Sequence, residues 1–131
     1  MLEYLNLNVN PKKRKTGDCS TRALVACLNI DYDKALELQL EEVKKCYYDF
    51  TSHQVVTNVL KKFGYEKMKQ PRKLDNTKYM VKEMDQVLSE EDLSKGVIVT
   101  VAHHYVTLKD FSYIDIWNSG NKCVGNYYVK I

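Results

Sequence analysis

The sequence lacks long hydrophobic runs and is poor in the residues that mark linkers. Only 5 glycines and 2 prolines occur among 131 residues, so we predict one domain over residues 1–131 with no flexible linker. No apolar stretch approaches the ~20 residues of a transmembrane helix. The first residues, Met1 to Tyr4, do not resemble the charged start of a signal peptide. We therefore expect a cytoplasmic protein that makes no membrane contact.

Paired cysteines are also missing. Cys19, Cys27, Cys46 and Cys123 are scattered, without the closely spaced pairs that bind zinc. The adjacent histidines His103-His104 do not complete a metal site by themselves. Because a reducing compartment is expected, we predict free thiols rather than disulfides. The sequence thus predicts no metal and no other cofactor.

A large excess of one charge is absent, since the formal net charge is only +3. Much of this excess lies in one run, Lys12-Lys13-Arg14-Lys15. Such a run is typical of a solvated loop, and the alternative is a contact for an acidic substrate or an acidic host protein. No aromatic residues alternate with these cations as they do in RNA-binding sites, so nucleic acid is not favoured as a partner.

The hydrophobic periodicity changes along the chain. In the first part, apolar residues at helical spacing predict helices at 18–30, 33–48, 52–63 and 77–88, with short strands at 2–9 and 65–68. After Gly96 the period is that of strands, at 97–101, 105–109, 113–117 and 124–131. The expected fold class is therefore α+β, with N-terminal helices packed on one face of a C-terminal antiparallel sheet.

A cysteine stands at the start of the first predicted helix. Gly17 interrupts the preceding chain and Asp18 is a suitable N-cap, which places Cys19 in the first turn. The positive end of the helix dipole favours the thiolate, which is the nucleophilic form of cysteine. Cys19 is therefore a candidate nucleophile. The ordinary alternative is a small core residue.

Strand alternation selects the expected partners of this thiol. His104 shares a face with the apolar residues of its strand, and we expect that face to lie against the helices, whereas His103 faces water. The same reasoning on the next strand selects Asn118 and turns Asp115 away. Antiparallel pairing brings the start of one strand near the end of the next. The sequence thus predicts a triad in which His104 activates Cys19 and Asn118 orients the imidazole.

The order of these residues resembles that of the papain-like cysteine peptidases, in which an asparagine-serine pair similar to Asn118-Ser119 occurs. Thr16-Gly17-Asp18-Cys19 with Arg22-Ala23 more closely resembles small papain-like proteins of bacteriophage and prophage genomes. In those proteins an Asp-x-Trp-Asp segment follows the histidine strand, and Asp115-Ile116-Trp117-Asn118 is similar except at its last residue. The layout is more distantly similar to the double-glycine leader peptidases of bacteriocin exporters.

This resemblance implies a papain-like fold and a thiol hydrolase that cleaves an amide, peptide or isopeptide bond of a peptide or protein substrate through an acyl-enzyme. Papain-like enzymes usually carry a glutamine a few residues before the cysteine as an oxyanion donor, and this chain has Lys13 there. We expect the oxyanion hole to use the Cys19 backbone N–H with Asn10 or, as a second choice, Lys13.

Two groups of residues are candidate substrate contacts. They are Lys12, Arg14 and Lys15 in the basic run, and Tyr47 and Tyr48 at the end of the second predicted helix. The alternative function is a non-enzymatic phage effector or inhibitor that uses the same fold to bind a host protein through the basic run. The lysine at the usual glutamine position supports that alternative.

Overall fold

The computed structural model covers residues 1–131 and shows an α+β fold built on one six-stranded sheet with strand order β1-β5-β4-β3-β6-β2. The strands are β1 (Glu3–Asn6), β2 (Tyr65–Met68), β3 (Val97–Val101), β4 (His104–Lys109), β5 (Ser112–Asp115) and β6 (Tyr127–Lys130). The helices are α1 (Cys19–Leu28), α2 (Tyr32–Cys46), α3 (His53–Lys62), a 3₁₀ helix (Val81–Gln86) and α4 (Glu90–Lys95). None of them is long and apolar enough to cross a membrane.

The sheet is mixed, whereas the sequence analysis predicted an antiparallel one. The N-terminal strand β1 pairs in parallel with β5, with Glu3 opposite Ser112 and Asn6 opposite Asp115. The other neighbouring strands pair antiparallel. Strands from the first half of the chain, β1 and β2, therefore form the two edges of a sheet whose centre comes from the second half.

Both faces of the sheet are covered, which contradicts the expected one-sided packing. Helices α1 to α3 pack on one face, where Leu24 and Ile98 belong to a single apolar cluster. On the other face Met84 of the 3₁₀ helix packs in a second cluster with Val106 and Leu108 of β4. Strands buried on both faces are apolar throughout, so alternation does not show which face meets which helices.

The segment that covers this second face differs from its prediction. Only the 3₁₀ helix forms within the predicted helix 77–88, and the polar stretch after it begins α4. Ser89 Oγ accepts the Asp92 N–H at 3.1 Å while Asp92 Oδ2 accepts the Ser89 N–H at 3.3 Å. This reciprocal capping box starts a helix in a stretch that its acidic composition alone would assign to a loop.

Helix α1 lies along β4, and this contact positions the functional site. The Thr107 hydroxyl donates to the Ala23 carbonyl at 2.7 Å, and Lys109 Nζ donates to the Cys27 carbonyl at 3.5 Å. Moving toward the end of β4 from Thr107 to Lys109 therefore corresponds to moving toward the end of α1 from Ala23 to Cys27. The start of α1 accordingly lies beside the start of β4. Cys19 and His104 are the first residues of these elements.

Candidate active site

A cleft opens where α1, β4 and α3 begin. Its volume is about 180 Å³, and it is lined by Cys19, Thr51, His53, His103, His104 and Tyr105. Cys19 is partly buried, and its backbone N–H, at the first helical position, has no acceptor within the protein. Cys19 therefore brings a thiol that is not in a disulfide to this cavity, and its backbone N–H is free to donate.

The imidazole of His104 is held by a carboxylate. Its Nε2 atom lies 2.6 Å from Asp115 Oδ2, and the two side chains are only 10% and 1% exposed. Because Nε2 is engaged by Asp115, Nδ1 is the ring nitrogen left for Cys19. The Trp117 indole lies against the imidazole, with ring centroids 4.9 Å apart and the two planes tilted by 31°. The ring of His104 is thus fixed by a hydrogen bond at its edge and by an aromatic face.

The expectation that Asn118 orients His104 is wrong. Asn118 Oδ1 instead accepts the Tyr113 hydroxyl at 2.8 Å and the Gly120 N–H at 3.0 Å. The reason is that β5 ends at Asp115, two residues earlier than predicted, so that Asn118 lies in the following turn. A Cβ at Gly120 would collide with Tyr113 Oη, and this turn therefore favours glycine.

The expectation that Asp115 points away from the site is also wrong, since its carboxylate bonds to His104 and the residue is only 2% exposed. Its Oδ2 accepts the Ser119 hydroxyl at 2.8 Å, and its Oδ1 accepts the Ile116 N–H at 2.8 Å and Arg22 Nη1 at 3.4 Å. A buried carboxylate is tolerated only with such partners. An aspartate between two isoleucines of a strand was a usable signal in the sequence, because an acidic residue at a buried position requires a partner.

The shifts in pKa follow from this arrangement. Burial disfavours the Cys19 thiolate, but the hydrogen bond and charge of His104, then the Tyr105 N–H and Arg22, outweigh it and lower the pKa of Cys19. Burial likewise opposes the charged form of His104, and pairing with Asp115 and with Cys19 outweighs it and raises the pKa of His104 to about 9. Both shifts act in the direction that favours the thiolate–imidazolium form of the pair.

The two side chains expected to donate to an oxyanion have other partners. Asn10 Nδ2 donates to Asp18 Oδ2 at 3.1 Å and to Tyr32 Oη at 3.5 Å. Lys13 Nζ donates to the Asn8 carbonyl at 2.8 Å, and neither residue lines the cleft. We correct their expected role accordingly: they hold the loop before α1, and the Cys19 N–H is the donor that the structure leaves free.

The expected substrate contacts lie outside the cleft. Lys12, Arg14 and Lys15 are exposed on the loop before α1, and Tyr47 and Tyr48 are exposed after α2. None of the five lines the cleft with Cys19.

Thr51, His53 and Tyr105 also line the cleft, and the sequence does not single them out because they come from separate elements. His53 is the first residue of α3, and its ring lies 5.4 Å from that of Tyr105. Burial, followed by the charge of Lys67, lowers the pKa of His53, so this second imidazole is neutral at pH 7. Only the packing of α3 against the sheet brings it to Cys19.

Comparisons of the chain with models of known protein families, with curated proteins and with solved structures find no match. A function for this site therefore has to be argued from the geometry and chemistry of its own residues.

Proposed function

We propose that this protein is a thiol hydrolase that cleaves an amide or peptide bond, with Cys19 as nucleophile, His104 as general base and acid, and Asp115 as the group that orients His104. The observation that carries the proposal is the position of one imidazole between a thiol at a helix start and a buried carboxylate 2.6 Å away. A papain-like fold is part of the proposal. It is supported by the placement of the cysteine on a helix and of the histidine on the adjoining strand.

The chemistry follows from the protonation states of the pair. The Cys19 thiolate attacks the carbonyl carbon of the substrate, a C–S bond forms, and the carbonyl electron pair moves to oxygen. The Cys19 N–H donates to this oxyanion. His104 transfers its Nδ1 proton to the leaving nitrogen as the C–N bond breaks, which leaves a thioester on Cys19.

Hydrolysis of the thioester completes the cycle. His104, now neutral, removes a proton from a water molecule that attacks the thioester carbonyl. Collapse of this second intermediate breaks the C–S bond, releases the acid product and restores the thiolate–imidazolium pair. Throughout both halves Asp115 stays ionised, because His104, Ser119 and the Ile116 N–H outweigh burial and lower the pKa of Asp115.

Acyl transfer with a small activated ester tests this function without knowledge of the natural substrate. Wild-type protein mixed with p-nitrophenyl acetate should release nitrophenolate in a burst and then at a steady rate. Mass spectrometry should locate the transient acetyl group on Cys19. Cys19→Ser should lose the burst, whereas Cys46→Ser, which alters another partly buried thiol, should keep it. An unmodified Cys19, or an acetyl group that is never hydrolysed, would refute the hydrolase.

One observation favours a second candidate, a protein-binding module. The side chains at and near the usual glutamine position, Lys13 and Asn10, are engaged in their own loop, which leaves the oxyanion one donor short. In this reading the exposed basic run binds an acidic polypeptide. Wild-type protein should then bind polyglutamate in a salt-dependent manner, and Lys12→Glu with Arg14→Glu should abolish that binding. Binding that is unchanged in the double variant would exclude this candidate.

A further inference from the structure

We propose that Arg22 is a positioning residue of the same site: its buried guanidinium links Asp18 at the start of α1 to Asp115 at the end of β5, and so fixes the carboxylate that holds His104. The inference rests on the proposed function, since it adds a residue to that site. It assigns to Arg22 a task that goes beyond stabilising its own helix.

The contacts of Arg22 reach two separate elements. Its Nε donates to Asp18 Oδ1 at 2.7 Å within α1, and its Nη1 donates to Asp115 Oδ1 at 3.4 Å across to the sheet. The arginine side chain is 9% exposed, and the two carboxylates are 9% and 1% exposed. A guanidinium at this depth requires anionic partners, and a carboxylate at this depth requires cationic ones. Each of the three charges therefore depends on the others.

Asp18 is committed to this link at the expense of its usual role. It occupies the N-cap position of α1, yet its side chain accepts no hydrogen bond from a backbone N–H of the first turn. Its Oδ2 atom instead accepts the Tyr32 hydroxyl at 2.8 Å and Asn10 Nδ2 at 3.1 Å. An aspartate that caps a helix typically contributes about 1 kcal/mol to stability. The carboxylate of Asp18 therefore binds Arg22 instead of capping the helix.

The charges alternate along the resulting chain of contacts. Asp18 is negative, Arg22 positive, Asp115 negative, His104 positive and Cys19 negative in the thiolate–imidazolium state. Arg22 engages Oδ1 of Asp115 while His104 engages Oδ2, so both edges of the carboxylate are held. Rotation of this carboxylate away from His104 would leave Arg22 without its second partner.

Arginine is suited to this task for a geometric reason. Its Nε and Nη1 atoms lie in one rigid plane and can bind two different carboxylates simultaneously. Lysine carries the same charge on a single nitrogen and lacks the planar fork. Arg22→Lys therefore keeps the charge but weakens the link, whereas Arg22→Met removes both at a similar side-chain length.

Other ionisable groups lie next to this chain of contacts, and their protonation state has to be kept constant or tested in the experiment. Tyr4 of β1 donates its hydroxyl to the backbone carbonyl of Asp115 at 3.3 Å. Hydrogen bonding to Asp18 contributes to raising the pKa of Tyr32 to about 12, after burial as the larger cause. His53 and His103 line the cleft on the side of Cys19. Measurements at pH 6.5 and pH 7.5 keep both tyrosines neutral, and a second pH reveals any contribution from the two histidines.

The test is a double-mutant cycle read by iodoacetamide alkylation of Cys19, with mass spectrometry of the labelled peptide. Arg22→Met should slow the alkylation about 10-fold, the effect of one pKa unit on the thiolate fraction. In an Asp115→Asn background the same change should slow it less than about 3-fold, because Arg22 acts through the lost carboxylate. Arg22→Lys should recover part of the rate. Equal slowing in both backgrounds would overturn the proposal and leave only a direct effect of the Arg22 charge on Cys19.

A spectroscopic readout keeps the proposal falsifiable if Arg22→Met fails to fold. In Arg22→Lys the proton of the short His104–Asp115 hydrogen bond should exchange with water faster than in the wild type, as seen by NMR. Lys62→Met, which breaks a 2.9 Å ion pair with Glu42 outside the site, should leave that exchange unchanged. Unaltered exchange in Arg22→Lys would refute the positioning role. A wild-type Cys19 with an ordinary pKa would instead refute the proposed function itself, so the two failures are distinguishable.

Discussion

Replacing Asp115 with asparagine tests the geometry of the site most directly. Asparagine has the same shape and keeps an oxygen for the Ile116 N–H, but it removes the negative charge that faces His104 at 2.6 Å. A hydrogen bond to a charged group contributes about 1.5–3 kcal/mol. Because one pKa unit corresponds to about 1.4 kcal/mol, the pKa of His104 should fall by about 1–2 units from its raised value of about 9.

The assay is an NMR titration of protein labelled at its 3 histidines. The resonances of His104 are identified by their loss in His104→Ala. In the wild type, the titration midpoint of His104 should lie well above that of a free histidine. In Asp115→Asn this midpoint should be lower than in the wild type. The lower imidazolium population then weakens the ion pair, so alkylation of Cys19 at neutral pH should slow as well.

Asn118→Ala is the matched control, because Asn118 was the sequence-based candidate for the same role. Its side chain bonds to Tyr113 and Gly120 rather than to the imidazole. We expect the His104 midpoint to stay within about 0.3 units of the wild type, below the scale of a lost charged hydrogen bond. A midpoint that moves in Asn118→Ala but not in Asp115→Asn would refute the assignment of the orienting carboxylate.

Three further results are expected. His104→Ala should slow alkylation of Cys19 at pH 7 by about 10-fold or more, whereas His103→Ala should leave the rate nearly unchanged. Equal effects of the two substitutions would show that the pairing of Cys19 with His104 is wrong. Gly120→Ala should destabilise the fold by about 1–3 kcal/mol in urea unfolding, because the added Cβ collides with Tyr113 Oη; an unchanged unfolding midpoint would contradict this. Burial acts to raise the pKa of Asp18, but hydrogen bonds outweigh burial and lower this pKa. Ionised Asp18 therefore stabilises the fold at pH values above the ordinary carboxyl pKa of about 3.9, and this stabilisation is lost as the pH falls through the lowered pKa. Acid unfolding followed by circular dichroism should therefore show a smaller loss between pH 4 and pH 2 in Asp18→Asn than in the wild type.

Local sequence signals located most of the secondary structure. The predicted strands 65–68 and 97–101 match β2 and β3. The helix predicted at 52–63 is observed as α3, where the Ser52 hydroxyl accepts the Val55 N–H. Errors arose where an element depended on partners distant in the sequence. The strand β1 pairs in parallel with β5, and neither segment carries a local sequence pattern that indicates this pairing.

The residues of the candidate site likewise fall into those that local sequence signals indicate and those that depend on partners distant in the sequence. The helix start at Cys19 is predicted by local signals, the break at Gly17 and the apolar periodicity that follows, although Asp18 does not cap the helix with its side chain as expected. Alternation selects His104 by placing it with Val106 and Leu108 on the face expected to meet the helices, but these two residues pack on the opposite face. Thr107 is the β4 residue that contacts α1, so the face assignment is wrong, although His104 does line the cleft. Local signals therefore indicate the candidate thiol and imidazole and their order along the chain, but not the groups that hold them.

Which acidic or amide side chain meets His104 was decided by tertiary structure alone. Alternation assigns faces only when one face of a sheet is exposed, and here a second layer covers the face opposite α1. Asp115 is buried because Arg22, Ser119 and His104 converge on its carboxylate from α1, the following turn and β4. The free energy that makes a buried charge tolerable comes from these distant partners, and so the identity of the orienting residue is a property of the folded chain.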